Sequence, residues 1–204
     1  MARSNSTERP ATKVRGGREA ILTAATRNFQ RLGYHGTSMR DIARDCEITV
    51  ASIYHHFPSK QEILQEIMLR ALHEHLATTK AALMSAGTDP SARLSALVRA
   101  WVLFHTTQQA AAFIGATELR SLDPEGRRSV IALRDEQELI FREVIENGHA
   151  LGAFTTGFPR EATWAILNMG TAVASWYTPR GELSAESLAE RYVALALATV
   201  GHRP

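Results

Sequence analysis

Residues 37–60 read TSMRDIARDCEITVASIYHHFPSK, and this stretch decides the fold. Ser38 stands where an N-cap belongs, with Asp41 three residues on to complete a capping box. Ile42 and Ala43 then give a short helix its buried face, and the helix stops near Asp45-Cys46-Glu47. Thr49 caps a second short helix that reaches His56. Pro58 cannot continue it, and Ser59 caps a third. Two short helices across a tight turn, the second carrying small and polar residues, are a device for setting side chains into the major groove of DNA.

Upstream, Ile21, Leu22, Ala25, Phe29 and Leu32 recur at helical spacing from about Arg18, and Gly33 ends that helix. Residues 1–17 form a basic arm with Arg3, Arg9, Lys13 and Arg15 among Ser, Thr, Pro and Gly. Its arginines either enter a minor groove or stay disordered. Residues 1–60 hold ten Lys and Arg against five Asp and Glu, whereas the whole chain carries only +2. The basic front therefore meets a polyanion and the mildly acidic body does not.

Downstream the pattern stays helical. A long helix runs from Ser59 to about Ser85, with Ile63, Leu64, Ile67, Met68, Leu72 and Leu76 as its apolar stripe. Gly87-Thr88-Asp89-Pro90 breaks it. Further helices span about 90–109, 110–120, 124–148, 160–177 and 184–200, with no strand and no repeat. The fold class is all-α, with about nine helices. It divides into the arm (1–17), a three-helix helix-turn-helix domain (18–62) and a helical ligand-binding and dimerisation domain (63–204). The long helix from Ser59 joins the last two mechanically.

Composition narrows the function. The 204 residues are 45% hydrophobic, enough for a substantial core, yet no stretch approaches a membrane-spanning length. The polar, basic N-terminus has no secretory h-region, and the one cysteine, Cys46, suits a reducing cytoplasm. No Gly-rich phosphate loop, Gly-x-Ser-x-Gly elbow, His-Glu-x-x-His or Cys/His metal set is present, so no catalytic residue, cofactor or metal is expected. His73 and His75 are two apart and lie on different helix faces, which argues against a metal pair.

The expected DNA contacts follow from the helix-turn-helix. Thr49, Val50, Ala51 and Ser52 let the second helix approach the groove, where Val50 and Ala51 meet thymine methyls and Ser52 donates or accepts. Tyr54, His55 and His56 reach backbone or a base; the two histidines otherwise read as exposed polar residues at a helix end. Thr37, Ser38 and Arg40 stand at a helix start that favours phosphate, and Lys60 begins the next, as a phosphate contact or a solvated lysine.

In the body, aromatic residues at helical spacing read either as core or as a cavity lining. The expected pocket comprises His73, Trp101, Phe104, His105, Phe113, Glu118, Arg134, Phe141 and Asn168. The last helices are apolar on more than one face, which calls for a partner. Trp164, Leu167, Val173, Trp176, Tyr192 and Leu195 are the expected homodimer interface.

The segment from Ile21 to Leu64 also resembles the N-terminal domain of TetR-type transcriptional repressors. The likeness rests on the Ala-Ala and Phe of the first helix, Gly33-Tyr34, Thr37-Ser38-Met39, Asp41-Ile42-Ala43, Ile53-Tyr54, Phe57 and Ser59-Lys60. The chain departs from the pattern in its turn, with Cys46-Glu47 where Ala-Gly is common and Ala51 where Gly is common. The resemblance implies a homodimer, an inverted-repeat DNA operator and a small hydrophobic effector bound in the body. The segments ATELRSLDPEGRRSVIALRDEQELIFREVIENGHALGAF and SWYTPRGELSAESLAERYVALAL are similar to TetR-type regulators of fatty-acid and steroid breakdown. That likeness implies an acyl-CoA effector, whose phosphates Arg120, Arg134 and Arg142 would meet unless they pair with Glu118, Asp135, Glu136 and Glu138 along the helix surface. The alternative is a ligand-independent, architectural DNA-binding protein; an accessible, mainly apolar cavity in the body discriminates between them.

Overall fold

A computed structural model describes residues 17–202. The basic arm expected at 1–17 lies almost wholly outside the described residues.

The described residues form α1 (Arg18–Gly36), α2 (Met39–Cys46), α3 (Val50–Tyr54), α4 (Lys60–Ser85), α5 (Pro90–Thr107), α6 (Gln109–Thr117), a 3-10 turn (Leu119–Ser121), α7 (Pro124–Ala150), α8 (Pro159–Thr171), α9 (Val173–Trp176) and α10 (Ala185–Thr199). Only Ala172 separates α8 from α9, so the two make one bent helix and the all-α expectation of about nine is met.

The boundaries follow local chemistry. Ser38 Oγ accepts from Asp41 N–H at 3.2 Å and Asp41 Oδ2 accepts from Ser38 N–H at 2.9 Å, closing the capping box. The Ser38 hydroxyl and backbone hold the Asp41 carboxyl down at about 2. Thr49, Ser59, Asp89, Asp123 and Ser184 each cap the helix that follows, with proline in the first turn after both aspartates. Two backbone positions depart from the ordinary. Gly33 has φ 73° and ψ 164°, a region essentially closed to other residues, and kinks α1 where the sequence suggested a stop. Glu47, in the turn between α2 and α3, has φ 57°, so the departure from glycine there is accommodated in a left-handed conformation.

Two large apolar clusters hold the molecule together. One gathers Ile21, Phe29, Ile42, Ile53, Phe57 and Ile63 under α1–α3, and also takes in Ile114, Leu122 and Val130 from the body. The other packs Leu94, Leu97, Phe141, Phe154 and Val193 among α5, α7, α8 and α10. The 26-residue α4 contributes to the first cluster at its start and contacts α5 and α7 farther on.

Candidate nucleic-acid interface and body pocket

The α2–α3 unit exposes a compact polar face. Ser38, Arg40, Thr49, Ala51, Tyr54 and His55 are exposed, Tyr54 by 51%, while Ser52 and His56 are half-buried. Thr49 Oγ1 accepts from Ser52 N–H at 3.1 Å and lies 2.9 Å from Ser52 Oγ, which ties down the start of α3. On the far side Ile53 and Phe57 are fully buried. Arg18, which sequence reasoning passed over, stacks 4.1 Å over the Phe57 ring, donates to His56 O at 2.7 Å and pairs with Glu66.

Three expected DNA contacts are spent differently. Thr37 is buried, and its hydroxyl donates to Gly33 O at 2.9 Å. Lys60 donates from Nζ to Tyr34 O at 2.7 Å and Thr37 O at 2.6 Å, 4.2 Å from the Tyr34 ring centroid. Burial lowers its amine pKa. These bonds close the C-terminal end of α1 onto the start of α4. Val50 is half-buried against the head's core.

In the body, α4, α5, α6, α7 and α8 enclose a cavity of about 350 Å³. Trp101, Phe104, His105, Arg134 and Asn168 line it as expected, beside Met68, Leu72, His75 and Leu167. Four expected lining residues lie elsewhere. His73 is exposed, because a two-residue step along α4 turns it away from the face carrying His75. Phe113 packs against Phe104, Ala112 and Ala174. Phe141 is buried behind Trp101, edge-on with centroids 5.3 Å apart. Glu118 belongs to the contact between body and head: Oε1 accepts from Tyr34 N–H at 3.0 Å and Oε2 accepts from Ser121 Oγ at 2.7 Å. Gln61, in the first turn of α4, extends that contact, donating to Ser121 O and accepting from Asp123 N–H at 3.2 Å.

The lining mixes apolar and aromatic side chains with polar ones, among them Gln137, Glu138 and Thr171. His75 stacks on Phe104 with centroids 4.0 Å apart and planes within 4°. Burial, with a smaller push from His105, drives the His75 pKa down to about 3; burial takes His105 to about 4. His105 donates from Nδ1 to Trp101 O at 2.7 Å. Arg134 donates to Gly115 O, and burial lowers its guanidinium pKa. Arg120 is exposed and Arg142 lies near Glu138 and Glu146, so of the three arginines suggested for phosphates only Arg134 lines the cavity.

On the outer face Trp164, Trp176 and Leu195 are 40%, 50% and 52% exposed. Trp164 donates to Glu138 at 3.0 Å, with Arg160 4.9 Å from its ring centroid. Val173 is buried in the chain's own core, and Tyr192 packs partly against that core, while Leu167 lines the cavity. Of the six residues expected at a dimer surface, Val173 is therefore removed and Leu167 is shared with the pocket.

Among the described residues no group of three or more His, Cys, Asp or Glu is arranged to hold a metal ion, and no helix is long and apolar enough to cross a membrane.

Comparison with known proteins gives a consistent picture. The family of bacterial regulatory proteins named tetR matches residues 21–67, and the tetracyclin repressor-like C-terminal domain matches residues 87–200. The HTH-type transcriptional repressor KstR2 of Mycobacterium tuberculosis is 29% identical over 192 residues, covering 93% of this chain and 96% of that one. A bacterial regulatory protein in the tetR family from Rhodococcus RHA1 superposes with a TM-score of 0.86 at 30% identity, covering 96% of this chain and 100% of that one. AibR, solved in complex with isovaleryl coenzyme A and operator DNA, superposes with a TM-score of 0.79 at 27% identity, covering 87% of this chain and 96% of that one.

Proposed function

We propose a function from one premise: the chain belongs to the tetR family of bacterial regulatory proteins. It is a transcriptional regulator and not an enzyme. Our reading goes further. The chain represses transcription as a homodimer on an inverted-repeat operator and leaves it when a small hydrophobic effector enters the body. Its place of work is the cytoplasm, on the nucleoid, where a chromosomal operator lies. An acyl-CoA is the effector class we favour. Its support is the likeness of the body segments to fatty-acid and steroid regulators and the AibR complex with isovaleryl coenzyme A.

The observation that carries this reading is the connection between pocket and head. Met68, Leu72 and His75 of α4 line the cavity, and the same helix begins at Lys60 inside the head. A second route runs through α6. Gly115 lines the cavity and receives the Arg134 hydrogen bond, and Glu118, three residues on, accepts from Tyr34 N–H. Three residues are about one turn, ~4.5 Å. An effector that repositions α4 or α6 therefore acts on α1 and the reading unit through bonded contacts.

The proposed DNA face comprises Ser38, Arg40, Thr49, Ala51, Ser52, Tyr54 and His55, with His56 and Val50 at its margin. Two such faces reach successive major grooves when they lie about 34–36 Å apart. An effector shifts that arrangement only by its differential affinity for the two states. A coupling of ~1–3 kcal/mol changes operator affinity by roughly 5–150-fold. The open, largely apolar cavity favours this sensor over the architectural alternative.

Fluorescence anisotropy on a duplex from beside the chain's own coding region tests the reading, titrated with and without isovaleryl-CoA and longer acyl-CoAs. Salt-sensitive binding, weakened at least fivefold by an acyl-CoA, is expected. Binding that no acyl-CoA alters removes the effector assignment, and absence of duplex binding removes the operator assignment.

A further inference from the structure

His75 holds a polar atom that no described residue satisfies. It is only 2% exposed, it lines the cavity, and its Nε2 has no hydrogen-bond partner among the described residues. Trp101 Nε1 is also buried without a partner among the described residues, close against Gly170; the indole and imidazole centroids are 4.4 Å apart. Unpaired buried groups of this kind cost free energy and are rare, so each calls for an explanation.

The surroundings define what His75 can receive. Its ring is clamped in a stack against Phe104, with His105 edge-on and centroids 5.4 Å apart. His105 gives its Nδ1 proton to the Trp101 carbonyl, which can only accept. When His105 is neutral, its Nε2 is consequently an acceptor. Both imidazoles stay neutral at physiological pH because burial disfavours their charged forms. The charged lining residues Arg134 and Glu138 are of opposite sign, so the cavity gives an anion no net advantage.

We propose that the effector carries an uncharged oxygen, a carbonyl or a hydroxyl, that hydrogen-bonds to His75 Nε2 on the Phe104 side of the body cavity. The proposal rests on the sensor reading above and names the chemistry its pocket selects. A carbonyl accepts from His75 when Nε2 bears the proton. A hydroxyl serves either tautomer and can also donate to His105. In an acyl-CoA, the thioester carbonyl or an oxygen on the acyl chain supplies the group. A pure hydrocarbon fills the cavity but leaves Nε2 unpaired.

Isothermal calorimetry with four probes of similar shape tests this directly: butylbenzene, butyrophenone, 1-phenyl-1-butanol and 4-phenylbutyrate. Butyrophenone or 1-phenyl-1-butanol binds the wild-type protein about tenfold tighter than butylbenzene, the gain of roughly one hydrogen bond. Both also bind tighter than the carboxylate. His75→Phe retains the ring stack, and it brings the oxygenated probes to within about twofold of butylbenzene.

Equal binding of butylbenzene and both oxygenated probes overturns the proposal. So does tightest binding by 4-phenylbutyrate, which would mean that Arg134 selects by charge, or no binding by any probe. A preference that survives His75→Phe overturns it too. If His75→Phe fails to fold, the wild-type comparison decides by itself. Because calorimetry reads binding without DNA, a failure of this chemistry is distinct from a failure of effector control over the operator.

Discussion

Two residues of one motif stand in opposite surroundings: Tyr54 is exposed, and Lys60 is bonded into the fold. Tyr54 is half exposed, with its neighbours Ile53 and Phe57 buried behind it. Lys60 spends its ammonium on the carbonyls of Tyr34 and Thr37. Tyr54→Ala should therefore weaken operator binding about tenfold, the scale of one direct contact, while leaving the urea midpoint within the scatter of surface substitutions. Lys60→Ala removes a cation–π contact and charge-assisted bonds to two carbonyls, and should cost about 2 kcal/mol of stability. Parallel urea denaturation and anisotropy separate the two; equal midpoints for both variants would contradict the assignment. The sequence made the caps legible because a Ser38–Asp41 or Thr49–Ser52 pair closes over three residues. The partners of Lys60 lie 23 and 26 residues away, a distance at which periodicity carries no information about which carbonyl awaits a lysine. Thr37 is buried by a nearer bond, to Gly33 O four residues back, at a kink that helical periodicity does not announce.

At the scale of elements, the seam between α4 and α5 holds two histidines in apolar surroundings. Their folded pKa values of about 3 and 4 lie below the ordinary 6.5, so between pH 6.5 and 4 the unfolded chain binds about two more protons than the folded one. Unfolding free energy then rises with pH through that window and falls as acid is added. From pH 7 to pH 5 the pair should remove about 3–4 kcal/mol. Urea unfolding at half-unit pH steps reads the slope, and the double variant His75→Phe, His105→Phe should flatten it whatever its absolute stability. A slope unchanged in the double variant would place the acid sensitivity elsewhere. Leu72 and Leu76 marked the buried side of α4 in the sequence, and His75 falls between them on that side. His73 is next to Leu72 in sequence but off its helix face, and the helical period decides for His75. Glu118 was legible as a polar residue of the α6 region but not as a bond to the backbone of α1, 84 residues earlier.

At the scale of the whole molecule, one face of the body keeps large apolar side chains outside its core. Trp164 and Trp176, on α8 and α9, and Leu195, on α10, leave large apolar side chains in solvent. Val193 and Ala196, the neighbours of Leu195 on α10, are buried in the chain's own core. The sequence could not separate these sides, because α8–α10 are apolar around much of their circumference; Val173 therefore read as surface although it is wholly buried. A stable homodimer needs about 800 Å² from each partner, and large aromatic side chains contribute most of the energy of such a surface. If the α8–α10 face is that surface, Leu195→Glu places a carboxylate in a self-facing apolar contact twice, once from each protomer. Its cost of several kcal/mol should drive micromolar protein to monomer in sedimentation velocity, while the helical circular dichroism and urea midpoint of the monomer persist because the side chain is already half exposed. Operator affinity should fall by at least a hundredfold in the same variant, since each half-site then binds a single head without the other's effective concentration. A Leu195→Glu protein that sediments as a dimer and binds the duplex normally would move the interface to another face of the body.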